Sequence, residues 1–218
     1  RWEVIRKLLR IGVPIALQDG FIQVAFLVIT VIANERGITD AAAVGIVEKI
    51  ISFIFLVPSS LLSTVSALGA QNIGAHQPER ARAILETALK TALGFGVLMI
   101  LLMQPAAPAF VGTFTSDSAV ISAGAPYLRG YIVDVLFAGV HFSFSGYFCA
   151  WGRSEFSFIH NVISIVLARI PLVYAASKAF PYTLLPMGLA TACGSLVSVL
   201  ICMGLFRKLR RKNACTML

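Results

Sequence analysis

Several ionisable residues stand in stretches that are otherwise Leu, Ile, Val, Ala and Phe. Asp134, Ala138, His141 and Ser145 follow at spacings of four, three and four, which places them on one face of a helix. Glu48, Arg169, Asp19 and Gln23 interrupt other apolar runs. An ionised side chain at the centre of a bilayer costs about 2.5–3.5 kcal/mol on insertion scales, so each is expected to meet water, a cation or an opposite charge. A His changes charge near neutral pH, so His141 suits a proton relay or a plain hydrogen bond, and the polar stripe around it suits a water-filled path. The chemistry on offer is cation or proton handling, ion pairing, or both.

The elements that must position these residues are six apolar stretches, 11–34, 41–67, 83–104, 127–150, 156–177 and 183–206. A helix needs about 20 residues to span roughly 30 Å of hydrocarbon, and each stretch is long enough. The chain is 58% apolar, above the roughly 45–50% of soluble domains. The fold class expected is all-α: a polytopic membrane protein whose 218 residues form a single lobe of six transmembrane helices.

The net charge of +8 has a membrane reading. Between the stretches, one side carries Arg1, Arg6, Lys7 and Arg10, then Arg80 and Arg82, then Arg153, then Arg207, Lys208, Arg210, Arg211 and Lys212. The other side carries only Arg36 and Lys178. By the positive-inside rule both termini are expected in the cytoplasm of a multi-pass plasma-membrane protein. The basic residues cap apolar spans and do not gather on one folded surface, so no nucleic-acid partner is expected. The chain opens on Arg1 without a short apolar region and cleavage site, so no signal peptide is read, and the sequence is taken as a candidate fragment. Cys149, Cys193, Cys202 and Cys215 lack paired spacing and read as free thiols, with no metal or cofactor. The last four residues, Cys215 to Leu218, formally fit a prenylation box, which a chain with six spans does not need.

The helical rise of about 1.5 Å per residue sets depths. Asp134 lies roughly 10 Å in from the end of its span at Tyr127, and Glu48 roughly 10 Å in from Ala41. Arg169 lies about 20 Å from the opposite face, hence roughly 10 Å from the same one. An ion pair of Arg169 with either Asp134 or Glu48 follows from this shared tier, and holding the bundle together is its bland alternative role. His160, Asn161 and Ser164 read as hydrogen-bond partners between helices. Pro14 is expected near the start of the first helix, Pro58 is expected to kink the second span, and Pro171 to bend the fifth. Pro105 and Pro108 are expected to stop the third span, with a loop from there to Ala125. Residues 69–82 read as the least apolar long connection.

Certain runs are similar to a known family. Gly12-Val13-Pro14-Ile15-Ala16-Leu17-Gln18, then Val44-Gly45-Ile46-Val47-Glu48-Lys49-Ile50, and above all Ala70-Gln71-Asn72-Ile73-Gly74-Ala75 with Arg80-Ala81, resemble the C-terminal half of multidrug and toxic compound extrusion (MATE) transporters. The resemblance covers essentially the whole chain, in order. It implies helices seven to twelve of a twelve-helix protein, with a missing N-terminal lobe as partner. It also implies a cationic or amphipathic small-molecule substrate held between the lobes, and H⁺ or Na⁺ as coupling ion. The glutamate that some members carry in the first of these helices falls near Ile22 or Gln23 here, and the acid of the fourth falls near Val140. A coupling carboxylate then lies in the missing lobe, or Asp134 and Glu48 take the role, with His141, Asp19 and Gln23 as further cavity candidates.

Rival readings are a lipid-linked oligosaccharide exporter of the same superfamily and a non-transporting membrane scaffold. Ser143-Phe144-Ser145-Gly146 superficially resembles the nucleophile turn of intramembrane serine proteases, with His141 or His160 as base. The first glycine is missing and Ser145 falls inside an uninterrupted helical pattern, so no enzyme is expected.

Overall fold

In hydrocarbon a backbone N–H or C=O has no water to bond, so a spanning chain must satisfy its peptide groups within helices or a closed barrel. The computed structural model describes residues 2–216, and among these there is no strand. Arg1 and Leu218, expected to be cytoplasmic, lie outside the described residues.

The helices are α1 (Trp2–Asn34), α2 (Ile38–Ile54), α3 (Leu56–Gly74), α4 (Pro78–Gly112), α5 (Ser118–Tyr131), α6 (Asp134–Ala150), α7 (Ser154–Ser164), α8 (Ile170–Ala179) and α9 (Leu185–Thr216). A π-helical turn, Ile165–Arg169, joins α7 to α8. Five continuous pieces are long and apolar enough to cross a membrane, counting Ile38–Gly74 and Ser154–Ala179 as one each. α5 and α6 form a sixth, bent by 43°.

Pro14, Pro105 and Pro108 act differently from the expectation, whereas Pro58 and Pro171 accompany breaks that fall just before them. Pro14 lies inside α1, which already starts at Trp2. The second span turns at Phe55, three residues before Pro58, because a proline cannot bond the carbonyl four residues back and its ring crowds that carbonyl. Pro171 likewise follows the π-helical turn. Pro105 and Pro108 do not stop α4, which runs on to Gly112. Pro108 leaves the Gln104 carbonyl without its helical donor; Arg129 Nε donates to that oxygen at 3.0 Å while Gln104 Nε2 donates to the Arg129 carbonyl at 2.9 Å. The connection after α4 therefore shrinks to 113–117. Asp117 caps α5 by accepting from the Ala119 N–H at 2.8 Å. Most of the segment read as a connection at 69–82 is helical too, with only 75–77 between α3 and α4.

Two apolar clusters fill opposite ends of the bundle. One gathers Ile29, Ile51, Val111, Tyr127, Leu128 and Leu184, and the other Val65, Leu85, Phe144, Phe148, Cys202 and Leu209. Along α6, α7 and α9 the stretch between the clusters is polar and buried: Ser143, His160, Asn161, Ser164, Ser195 and Ser198. The turns that bear Arg80, Arg82 and Arg153 sit at the same end as Arg207, Lys208 and Arg211 of α9, whereas Arg36 and Lys178 sit at the other.

Arg36 staples that other end. Gly37, at φ +123°, turns the chain between α1 and α2 as only glycine does readily. Arg36 Nε then donates to Asp40 at 2.7 Å, and its two Nη atoms donate to the carbonyls of Ser177, Phe180, Pro181 and Thr183 at 2.8–3.4 Å. Lys178 pairs with Glu35 nearby at 2.7 Å, with both side chains about half exposed. A planar guanidinium reaches several carbonyls at once and an ammonium does not. Arg36→Lys is therefore expected to cost about 2 kcal/mol, by the usual worth of hydrogen bonds to a charged group. Lys178→Ala, at an exposed pair screened by solvent, should cost clearly less. Thermal unfolding of the two variants side by side in detergent checks the order, and equal losses would contradict the staple.

Candidate functional site

Asp134 opens α6, directly after the break at 132–133. Arg169 closes the π-helical turn. Its Nη2 donates to Asp134 Oδ2 at 2.9 Å and to Ser195 Oγ of α9 at 2.9 Å. The approach of α9 depends on Gly194, where a methyl group would lie 2.7 Å from Arg169 Cβ. Asp134 is wholly enclosed and Arg169 nearly so, while Asp134 Oδ1 has no protein partner.

Next along the polar layer, His160 of α7 uses both ring nitrogens. Nε2 is 2.8 Å from Ser145 Oγ of α6 and Nδ1 is 2.6 Å from Ser198 Oγ of α9. A neutral imidazole donates one of these bonds and accepts the other. His141 lies edge-on to it, with ring centroids 5.7 Å apart. Beside them is a small, partly enclosed cavity of about 20 Å³, lined by His141, Asn161, Ser164, Arg169, Ser195 and Ser198 among others. Three buried atoms of these residues, His141 Nδ1, Asn161 Nδ2 and Ser164 Oγ, have no protein partner. At the apposed faces of α1 and α7, Gln18 is fully buried and its Oε1 accepts from Ser157 Oγ.

Glu48 does not meet Arg169. Its Oε2 lies 3.1 Å from Thr30 Oγ1 of α1, and Oε1 is unpartnered. The buried hydroxyls of Tyr127 and Tyr131, whose rings meet edge-on at 5.6 Å, are unpartnered as well.

Asp19 and Gln23 belong to a different place. Both are exposed on α1, in an open groove of about 240 Å³ against α2 and α3, whose lining also includes Ser52, Phe55, Ser59 and Phe142. Lys49, one turn from Ser52 on α2, is exposed outside the lining. α3 continues the polar surface with Ser60, Ser63 and Thr64, also exposed.

The candidates thus divide three ways. Asp134 and Arg169 are bonded to each other, Glu48 stands apart on Thr30, and Asp19 with Gln23 opens outward. The stripe of Asp134, His141 and Ser145 is buried against the lobe's own helices. Ser195, Ser198 and Thr30 were not legible as site residues, since a hydroxyl on an apolar helix is ordinary and only the neighbouring helix reveals its partner. Ser145 and His160 do come together. Ser145 sits mid-way along α6, however, where the backbone N–H groups are spent on the helix, so no oxyanion site exists beside it.

Removing Arg169 leaves Asp134 buried and unpaired. Arg169→Ala is expected to destabilise the chain by about 3–5 kcal/mol, and Arg169→Ala with Asp134→Asn to recover a large part of that loss. Thermal melts of both single variants and the double variant in one detergent measure the coupling; simple additivity would exclude the pair as a linked unit.

The MatE family model matches residues 14–175. A FAD transporter of Shewanella oneidensis is 29% identical over 84% of this chain and 43% of its own length. The probable multidrug resistance protein YoeA of Bacillus subtilis is 21% identical over 99% of this chain and 47% of its own length. A crystal structure of MATE in complex with MaL6 superposes with a TM-score of 0.88 at 16% identity, over 96% of this chain and 47% of that one, and shares the fold. The chain spans about half the length of the curated relatives it matches. With its apolar helices and a family match over most of its length, this multi-pass membrane chain belongs to the MatE family.

Proposed function

We propose that the chain is the C-terminal lobe of a cation-coupled efflux antiporter that works by alternating access, with substrate held between it and a second six-helix lobe. The open groove carries this reading. Asp19, Gln23, Ser52 and Ser59 are exposed on helices that cross the membrane, and hydrocarbon cannot solvate a carboxylate or an amide there. Such a face needs water or a partner protein, which a cavity between two lobes supplies.

Asp19 is the one charge in the lining, set among Phe26, Phe55 and Phe142. An acid beside aromatic faces suits a cationic, amphipathic molecule, through charge attraction and cation–π contact. Asp134 is committed to Arg169 and acts as an anchor. Glu48, buried with a free oxygen, is the coupling acid for H⁺ or Na⁺. A second reading rests on the exposed Lys49, one turn from Ser52, and on the relative described as a FAD transporter: an anionic substrate would use Lys49 and be repelled by Asp19. The lipid-linked oligosaccharide exporter and the scaffold find no comparable support in the groove.

Transport by the complete polypeptide in vesicles separates the two. Asp19→Asn is expected to lower export of a cationic dye about tenfold, near 1.4 kcal/mol, and Lys49→Gln to leave it within twofold. The reverse pattern, measured with a flavin dinucleotide, would assign the anionic substrate instead. Neither lobe alone should export either compound.

The same reading places Arg80, Arg82, Arg153 and the basic end of α9 in the cytoplasm of a plasma-membrane protein. A cysteine at Arg82 should resist a membrane-impermeant thiol reagent in intact cells, and one at Ser116 should react. The opposite result would invert the topology.

A further inference from the structure

The groove and the small cavity share a wall. Ile22, Phe55 and Phe142 line both, the groove with Asp19 and Gln23 on one side and the chamber with His141, Asn161, Ser164 and Arg169 on the other. Phe55 and Phe142 meet edge-on, with ring centroids 6.2 Å apart, and Phe55 stands at the break between α2 and α3. The three shared side chains are all apolar, yet polar groups line both spaces.

The chamber is built for a small polar guest. Its volume of about 20 Å³ exceeds the roughly 10–15 Å³ that one water requires. His141, Asn161 and Ser164 are each at least nine-tenths buried, and each presents an atom that no protein group satisfies. A buried water usually makes about three hydrogen bonds, and three such atoms are on offer. A buried polar group left without a hydrogen bond is costly, so three in one chamber favour a hydrated chamber over a dry one.

We propose that the chamber holds ordered water, and that Ile22, Phe55 and Phe142 form a hydrophobic gate controlling its exchange with the groove. Apolar constrictions close water paths by dewetting, without a polar latch. The position of Phe55 at a helix break gives the gate a place to move, because α2 and α3 can change their mutual angle there with less loss of helical bonding than mid-helix. The inference rests on the reading of the groove as water-facing and extends it: the lobe's buried polar layer becomes reachable from the cavity only when the wall opens.

The test uses the complete polypeptide carrying these residues, with Cys149, Cys193, Cys202 and Cys215 replaced by Ala. Ser164→Cys reports on the chamber and Gln23→Cys on the groove, each challenged with methanethiosulfonate ethylammonium on monodisperse protein. With the wall intact, Gln23→Cys is expected to react readily and Ser164→Cys at least tenfold more slowly. Phe142→Ala should raise the Ser164→Cys rate about tenfold or more, whereas Phe142→Leu, which keeps the wall filled, should not. Ile22→Ala, at a half-buried position, makes the same test if Phe142→Ala does not fold. Rapid labelling of Ser164→Cys behind an intact wall, or no gain in a folded variant with the wall truncated, overturns the gate while leaving the groove's role standing. An unreactive Gln23→Cys overturns the water-facing groove, and the gate with it.

Discussion

A guanidinium in the middle of a helical bundle has no water to fall back on, and the placement of Arg169 is the constraint around which the lobe is arranged. Its donors meet Asp134 and Ser195 on two other helices, so α6, α7–α8 and α9 are held at one point by one side chain. Each helix yields something to make that possible. The fourth span breaks so that Asp134 begins a new helix, the fifth loosens into a π-helical turn that ends on Arg169, and α9 has glycine at the contact. Well-packed apolar residues of similar volume can match or exceed the stability of a buried pair, so the pair's contribution is in fixing which helix faces which.

Irregular backbone in this fold follows the same constraint. Where a proline removes a helical donor, something else is supplied: Arg129 reaches the Gln104 carbonyl opposite Pro108, and a turn or a widened helical turn precedes Pro58 and Pro171. Close approach between helices then depends on small residues. A methyl group on Gly130 would lie 2.5 Å from the Leu185 carbonyl oxygen, and one on Gly188 would lie 2.5 Å from that of Tyr127, so α5 and α9 pack backbone to backbone.

The spans were legible because bilayer thickness turns apolar length into topology almost directly, and the common depth of Arg169, Asp134 and Glu48 followed from helical rise alone. The choice between Asp134 and Glu48 was not. It depends on how each helix is rotated about its axis, and α6 presents buried residues on nearly every side, so no apolar stripe in its sequence marks an inner face. The break at 132–133 was also hidden, since no proline lies within the two residues or just after them; the interruption is a product of packing. The effect of Pro58 was legible in kind but not in place, as its steric conflict falls on the residues before it. His160 announced an interhelical bond, yet its two serine partners lie on α6 and α9, far along the chain.

The acids of the lobe are sorted by what stands opposite them. Asp134 faces a fixed cation, and exchanging that partner for a diffusible ion would strand Arg169 in the core. Asp19 faces open space and can respond to whatever enters. Glu48 lies between these extremes, buried beside one threonine hydroxyl with one oxygen unclaimed. In the antiporter proposed above both kinds of group have a use: permanent pairs would keep the lobe rigid, and unpaired ones would change partner as the cavity opens and closes. The apolar wall of Ile22, Phe55 and Phe142 lies on the boundary between the two. Behind it Asp134, Arg169 and His160 hold fixed protein partners, while Asp19 and Gln23 in front face the open groove, so fixed and open polar groups share the same few helices.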